Sequence, residues 1–175
     1  MLASVFVAYS TRSGSTAEVA QAIADSMRKS GLAVNVAPMG QVDSVPRMSA
    51  VILGAPLYMG RFPKEFHRFL ARYRGALEIL KPWCFVLGPT RANPNDFDAA
   101  RHQAVKQLSR YDWFCPADVQ VFGGRWDPKT LPFPFSLAAR LPGHPLEKIP
   151  AADVRDWAEI DDWASAIARQ IKPAA

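Results

Sequence analysis

The chain has 175 residues, a length that fits one domain, spanning 1–175, with a sizeable hydrophobic core. Hydrophobic residues make up 49% of it and charged residues 21%, so a disordered chain is excluded. The net charge of +5 comes from scattered basic residues, so we expect no nucleic-acid partner. An anionic small molecule or membrane surface stays open as a partner.

Several further features limit the class of protein. The N-terminus carries no basic leader, and no apolar run reaches the roughly 20 residues of a membrane span, so we expect a cytoplasmic protein. Cys84 and Cys115 are expected to be buried free thiols. The three histidines stand apart, so we predict no metal site. The oligomeric state is left open, a homo-oligomer included.

The predicted elements alternate between strands and helices. Short apolar runs predict strands, and apolar side chains at helical spacing predict helices. In chain order we predict a strand at 4–9, a helix at 16–30, strands at 32–37 and 50–55, a helix through 62–73, a strand at 83–88, a helix through 97–111, a strand at 119–123 and a last helix through 157–171, with Asp156 as its N-cap. This alternation predicts a parallel sheet with helices on both faces, which binds ligands at the carboxyl ends of its strands.

One segment interrupts the alternation. Residues 125–153 are rich in proline and form a long insertion before the last helix, and long loops of this kind are usually functional or disordered. Within it, residues 129–142 are apolar with few charges. We favour packing of this stretch against the domain's own edge. The alternative is peripheral contact with the inner face of a membrane.

The loop after the first strand is rich in groups that bind anions. A helix N-terminus offers unpaired N–H groups, and Gly14 lets the backbone turn closely around an oxyanion. The hydroxyl donors of the loop are Ser10, Thr11, Ser13, Ser15 and Thr16. The loop contains neither a Walker lysine nor a GxGxxG fingerprint. Its position predicts a phosphate site, and the alternative is an ordinary Ser/Gly-rich turn with an N-cap.

Three segments resemble flavodoxins. Residues 9–16, Tyr-Ser-Thr-Arg-Ser-Gly-Ser-Thr, resemble the flavodoxin phosphate loop. Residues 54–60, Gly-Ala-Pro-Leu-Tyr-Met-Gly, resemble the first flavin-ring loop, and residues 88–91, Gly-Pro-Thr-Arg, stand where the second ring loop stands. The resemblance implies a flavodoxin-like three-layer α/β sandwich with strand order 2-1-3-4-5, and FMN as cofactor. It assigns FMN contacts to Ser10, Thr11, Arg12, Ser13, Gly14, Ser15, Thr16, Pro56, Leu57, Tyr58, Met59, Gly60, Gly88, Pro89, Thr90 and Arg91.

Within this superfamily the chain is most similar to the menaquinone-dependent protoporphyrinogen oxidase type. That group has Ser-Thr-Arg in its phosphate loop, which matches Arg12 here, and an acidic-Trp opening of its last helix, which matches Asp156-Trp157. The resemblance implies an FMN-dependent oxidoreductase that passes electrons from a substrate such as a tetrapyrrole to a quinone. Two alternatives stay open: an electron-carrier flavodoxin, and an NAD(P)H:quinone reductase of the same fold.

The residues around the predicted ring site carry further expectations. Tyr58 is expected to stack on the flavin, with a partly exposed loop aromatic as the alternative. Arg61 and Arg91 are expected to favour the negatively charged reduced flavin and so to raise its potential. Arg125 and Trp126 are either substrate contacts, together with Arg61 and Arg91, or plain surface residues.

Overall fold

The computed structural model describes residues 3–45, 48–127 and 150–171. Its five long strands are β1 Ser4–Tyr9, β2 Ala33–Pro38, β3 Ala50–Pro56, β4 Trp83–Leu87 and β5 Asp118–Phe122. They form one parallel sheet in the order β2-β1-β3-β4-β5, which confirms the predicted order. The strand order reverses next to β1, so the loops after β1 and β3 flank a topological switch point.

Helices cover both faces of this sheet. In the described ranges they are α1 Ser15–Lys29, α2 Lys64–Arg72, α3 Arg74–Leu80, α4 Pro94–Leu108 and α5 Trp157–Ile171. On one face α2 and α4 bury Phe66 and Leu108, and on the other α1 and α5 bury Ile23 and Ile167. The predicted three-layer α/β sandwich is therefore confirmed.

Two local predictions differ from the structure. The single helix expected through residues 62–73 is followed at once by α3, and the two helices meet at Tyr73, whose hydroxyl donates to the carbonyl of Val42 at 2.6 Å. The expectation of two buried thiols is correct for Cys84 and wrong for Cys115, which is exposed. The buried position before β5 is taken instead by the aromatic ring of Phe114, so Cys115 faces outward.

The glycine that opens the predicted first ring loop has a packing role. Gly54 lies inside β3, opposite Phe85 of β4. A Cβ at this position would lie 2.0 Å from the Phe85 ring, so any side chain would displace that ring. The loop itself therefore begins at Pro56, where β3 ends.

The two ends of the proline-rich insertion are joined at the rim of the sheet. Arg125–Trp126, strand β6, pairs antiparallel with Ala152–Asp153, strand β7. The predicted membrane-contact stretch, residues 129–142, lies outside the described residues and stays a prediction. Within the described ranges no helix combines the length and apolarity needed to cross a bilayer.

Candidate functional site

The N-terminus of α1 lacks the cap that the other long helices carry. Asn93 caps α4 with its side-chain oxygen, and Asp156 accepts from two backbone N–H groups at the start of α5, which confirms it as the predicted N-cap. The corresponding residue of α1 is Gly14, in the left-handed region at φ 87°, with no side chain to offer. The first N–H groups of α1 therefore depend on a partner from outside the helix.

The hydroxyl groups of the predicted phosphate loop divide into occupied and available ones. Ser10 donates its hydroxyl to Glu65 at 2.6 Å, and Thr11 accepts from the Gly14 N–H at 3.0 Å. The Thr16 hydroxyl oxygen is buried and has no hydrogen-bond partner in the part of the chain that the structure describes. A buried polar group without a partner costs about 1–3 kcal/mol, so the Thr16 hydroxyl is a candidate donor to a ligand atom.

The first predicted ring loop is a tight two-residue turn. Tyr58 and Arg61 exchange backbone hydrogen bonds of 3.0 and 2.9 Å, and Met59 and Gly60 between them have φ of 49° and 74°. Positive φ at both central residues defines a type I′ turn. The turn holds the Met59 side chain fully in solvent, and it exposes about a third of Tyr58.

The second predicted ring loop and the segment after β5 complete a cleft. Gly124 donates its N–H to the Pro89 carbonyl at 2.7 Å, and this bond places Trp126 next to the loop after β4. The cleft measures about 460 Å³ and is lined by residues of both ring loops, by Ser15, by Gln103 of α4 and by Trp126. The structure thus brings the loops after β1, β3, β4 and β5 together at one edge of the sheet.

One contact links the phosphate loop to the first ring loop. The guanidinium of Arg12 lies 5.0 Å from the centre of the Tyr58 ring, a cation–π geometry. Arg12 is exposed and makes no ion pair within the described ranges. Its positive charge therefore stays available to an anion in the cleft.

An ion-pair cluster fixes the wall opposite this contact. Glu18, in the first turn of α1, pairs with Arg125 at 2.9 Å and with Arg155 at 2.7 Å. The Arg155 side chain is 3% exposed and donates to Asp153 at 2.6 Å. This hydrogen bond raises the pKa of Arg155, against the opposing effect of burial, and lowers the pKa of Asp153. Arg125 lines the cleft, and its guanidinium is paired with Glu18, while its predicted contact with a substrate stays a prediction.

Several residues of this site were missed by the sequence reasoning. Glu18, Glu65 and Arg155 position the loops, and Gln103 lies so close to Gly60 that a Cβ there would be 2.5 Å from its side-chain oxygen. The sequence alone does not reveal these contacts, because they join residues far apart in the chain, such as Ser10 with Glu65 and Glu18 with Arg155. Only Glu18 had a local signal, since it stands one turn after Gly14.

The remaining titratable groups of note lie away from the cleft. His67 exchanges a 2.7 Å hydrogen bond with the Tyr111 hydroxyl, and partial burial together with Arg110 lowers the pKa of His67. Burial also raises the pKa of the Cys84 thiol. Neither group reaches the ring loops.

The fold and this edge define a class of protein: a doubly wound α/β protein with an open anion site at its first helix and an adjoining cleft. The model of the flavodoxin domain family matches residues 6–134. The chain therefore belongs to the flavodoxin domain family. A comparison with curated protein sequences finds no match.

Solved flavodoxins share the fold over almost the whole chain. The chain is 16% identical to a short-chain flavodoxin associated with a non-canonical PDU bacterial microcompartment, with a TM-score of 0.58 over 98% of this chain and 100% of that one. A cysteine-to-serine mutant of flavodoxin from Pseudomonas aeruginosa is 14% identical, with a TM-score of 0.59 over 97% and 99%. The two-electron reduced flavodoxin of Megasphaera elsdenii is 16% identical, with a TM-score of 0.55 over 94% and 98%.

FMN is the cofactor of this family, and the residues present fit it. The open N-terminus of α1 suits a phosphate dianion, and the buried Thr16 hydroxyl lacks the acceptor that a phosphate oxygen provides. The cleft beside it is bounded by Tyr58 and by the indole of Trp126, whose buried Nε1 has no partner among the described residues. FMN binding, predicted from the resemblance, is thus supported by family and by geometry.

Proposed function

We propose that this chain holds FMN in the cleft and works as a redox protein that accepts electrons from a substrate. The observation that carries the proposal is the uncapped N-terminus of α1, with the orphaned Thr16 hydroxyl beside it, opening onto a cleft between two ring loops. When bound, FMN supplies the electron exchange, and the protein supplies binding, orientation and charge.

Under this proposal, some residues of the loop after β1 bind the phosphate and others shape the loop. Thr16 and the first N–H groups of α1 would donate to the phosphate, and Ser13 and Ser15 would add hydroxyl donors. Thr11 accepts from the Gly14 N–H but keeps its own O–H free to donate. Arg12 adds a cation from the exposed side of the loop. Ser10 shapes the loop through its bond to Glu65 rather than donating to the phosphate.

The ring end is formed by two loops. Pro56, Leu57, Tyr58 and the Met59–Gly60 peptide line one side of the cleft, and residues 88–91, Gly-Pro-Thr-Arg, line the other. Tyr58 offers an aromatic face for stacking, and Gly60 permits the positive φ that the turn needs. These residues would hold the flavin ring between the two loops.

Cations outnumber acids around the ring end. Arg91 and Arg125 line the cleft, and Asp96 is the one carboxylate among the described lining residues. Arg125 is paired with Glu18, whereas Arg91 and Arg61, which is exposed at the end of the neighbouring turn, form no ion pair within the described ranges. Positive charge stabilises the negative charge that the flavin gains on reduction, so we expect a less negative potential than an acidic surround would give. A strongly negative second-electron potential in a redox titration would refute this.

This charge pattern favours substrate oxidation over low-potential electron carriage. The finer form of the proposal is an oxidase of the protoporphyrinogen oxidase type, in which Arg61 and Arg91 pair with substrate carboxylates and electrons pass to a quinone. It rests on the resemblance of the Ser-Thr-Arg phosphate loop and on these unpaired arginines. The electron-carrier flavodoxin is the second candidate, favoured by the solved relatives.

Two measurements test the proposal in sequence. The visible spectrum of the purified protein, with the flavin identified after heat release, tests FMN binding, and a colourless protein that fails to bind added FMN removes the foundation. Protoporphyrinogen, NAD(P)H and a quinol are then added separately while flavin colour is followed. Bleaching by the tetrapyrrole supports the oxidase, and bleaching by NAD(P)H supports a quinone reductase. Bleaching by none of them supports the carrier.

A further inference from the structure

The outward face of α2 is basic along its whole length. Lys64, Arg68 and Arg72 are exposed and stand four residues apart, so they share one side of the helix. The single acid of α2, Glu65, is half-buried and accepts the hydroxyl of Ser10, so it points toward the phosphate loop. Nothing on α2 therefore neutralises this row.

These cations also lack acidic partners from other elements. In the described part of the chain, the ion pairs join other residues, and none includes Lys64, Arg68 or Arg72. Arg72 donates to the carbonyl of Asp43 at 3.4 Å and lies over the Tyr73 ring, contacts that leave its charge uncompensated. The outward face of α2 therefore carries a net positive charge.

The basic face begins at the ring end of the cleft. The turn from Tyr58 to Arg61 leads into α2 after two residues, and Arg61 is exposed. From Lys64 to Arg72 the helix rises about 12 Å. Arg61 and the fully exposed Met59 belong to the turn just before α2, so the exposed cations form an edge longer than one small acid in contact with the flavin would cover.

We propose that this edge, defined as Met59, Arg61, Lys64, Arg68 and Arg72, docks the acidic surface of a partner redox protein. The inference rests on the proposed FMN function, because the edge borders the ring end of the cleft. Complementary charge steers such encounters and speeds association, mostly at low salt. A protein is favoured over a membrane because the edge has four cations around one fully exposed apolar side chain, a polar rather than an inserting surface.

The test uses a pair of charge-matched double variants of the full chain. Lys64→Glu/Arg68→Glu reverses the charge at two exposed residues that form no ion pair with any other residue that the structure describes. Lys29→Glu/Arg169→Glu makes the same change in net charge on exposed positions of α1 and α5, on the opposite side of the sheet. Thermal unfolding of both variants verifies that they fold.

The probe is an acidic plant-type [2Fe–2S] ferredoxin, chemically reduced. Each molecule gives up one electron and is itself oxidised, so at least two molecules are supplied for each FMN to reach the bleached, two-electron reduced state. Stopped-flow bleaching of the flavin gives the second-order rate at low and high salt. At low salt we expect the α2 variant to react at least about tenfold more slowly than wild type. Its second-order rate should no longer depend on the salt concentration. The matched control should stay within about twofold of wild type. Equal rates for the two variants would overturn the docking inference.

Two further measurements distinguish a failure of the docking inference from a failure of the proposed FMN function. Dithionite, a small reductant, should bleach the FMN of wild type and both variants alike. If it finds no flavin to bleach in the wild type, the proposed function fails as well as the docking. Sedimentation with phosphatidylserine vesicles tests the other macromolecular surface. A loss of vesicle binding in the α2 variant, without a change in the ferredoxin rate, would assign the edge to a membrane and overturn the inference.

Discussion

Replacing Thr16 by valine should move protein stability and cofactor affinity in opposite directions. The Thr16 hydroxyl is buried and unpaired without a ligand, and valine has nearly the same shape without the polar group. Removing the unpaired hydroxyl should raise the free energy of unfolding of the FMN-free protein by about 1–3 kcal/mol. At this chain length, each 1 kcal/mol corresponds to about 2–4 °C in the unfolding midpoint.

The same substitution should weaken the binding of FMN. A hydrogen bond to a charged acceptor contributes about 1.5–3 kcal/mol, so the dissociation constant should rise about 10- to 150-fold. Riboflavin lacks the phosphate, so its affinity should not change. Fluorescence quenching titrations with FMN and riboflavin measure both constants, and differential scanning of the FMN-free protein measures stability.

The control is Thr16→Ser, which keeps the hydroxyl and should keep FMN affinity within a few fold. An unchanged FMN affinity in Thr16→Val would refute the phosphate assignment, because the hydroxyl would then have another partner. Equal losses for FMN and riboflavin would show instead that the substitution disturbs the loop as a whole. A less stable FMN-free Thr16→Val would show that the buried hydroxyl is satisfied in solution.

Three other predictions follow from the structure. Gly60→Ala should lower the free energy of unfolding by about 1–2 kcal/mol because of backbone strain at φ 74°, and chemical denaturation measures this loss. Adding Gln103→Ala to the same chain should relieve only the clash between the new Cβ and the Gln103 side chain. Arg155→Met should cost stability mainly above about pH 4, since the lowered pKa of Asp153 stabilises the fold there and that contribution is lost as pH falls through the folded pKa. His67 should titrate below its ordinary value of 6.5 by NMR, and a higher value would contradict its burial.

The parts of this fold that sequence reasoning could reach are those set by local pattern. Strand β3 is buried at every position, so its sequence is an unbroken apolar run between polar segments. Helix α1 shows apolar residues at helical spacing and ends near Gly31, which has φ 82°. The anion-binding composition of the loop after β1 is visible in the sequence because its hydroxyls and its glycine are contiguous in the chain.

The rest depends on contacts between distant residues. No local pattern shows that the Ser10 hydroxyl donates to Glu65, or that Arg125 pairs with Glu18. The basic residues look scattered along the chain, although the spacing of Lys64 and Arg68 already places them on one helix face. Charge patterning therefore has to be analysed on the predicted helix rather than along the sequence.

The position of Glu18 shows how the two ends of the cleft depend on each other. A carboxylate in the first turn of α1 would by itself oppose a phosphate dianion one turn away. Arg125 and Arg155 both pair with it, so the first turn offers its N–H groups to the proposed phosphate site without an uncompensated negative charge. Arg125 also belongs to β6, which carries Trp126 into the cleft wall. The ion pairs that compensate the charge of Glu18 beside the proposed phosphate site therefore also hold the cleft wall beside the proposed ring site. No single loop could supply both contacts.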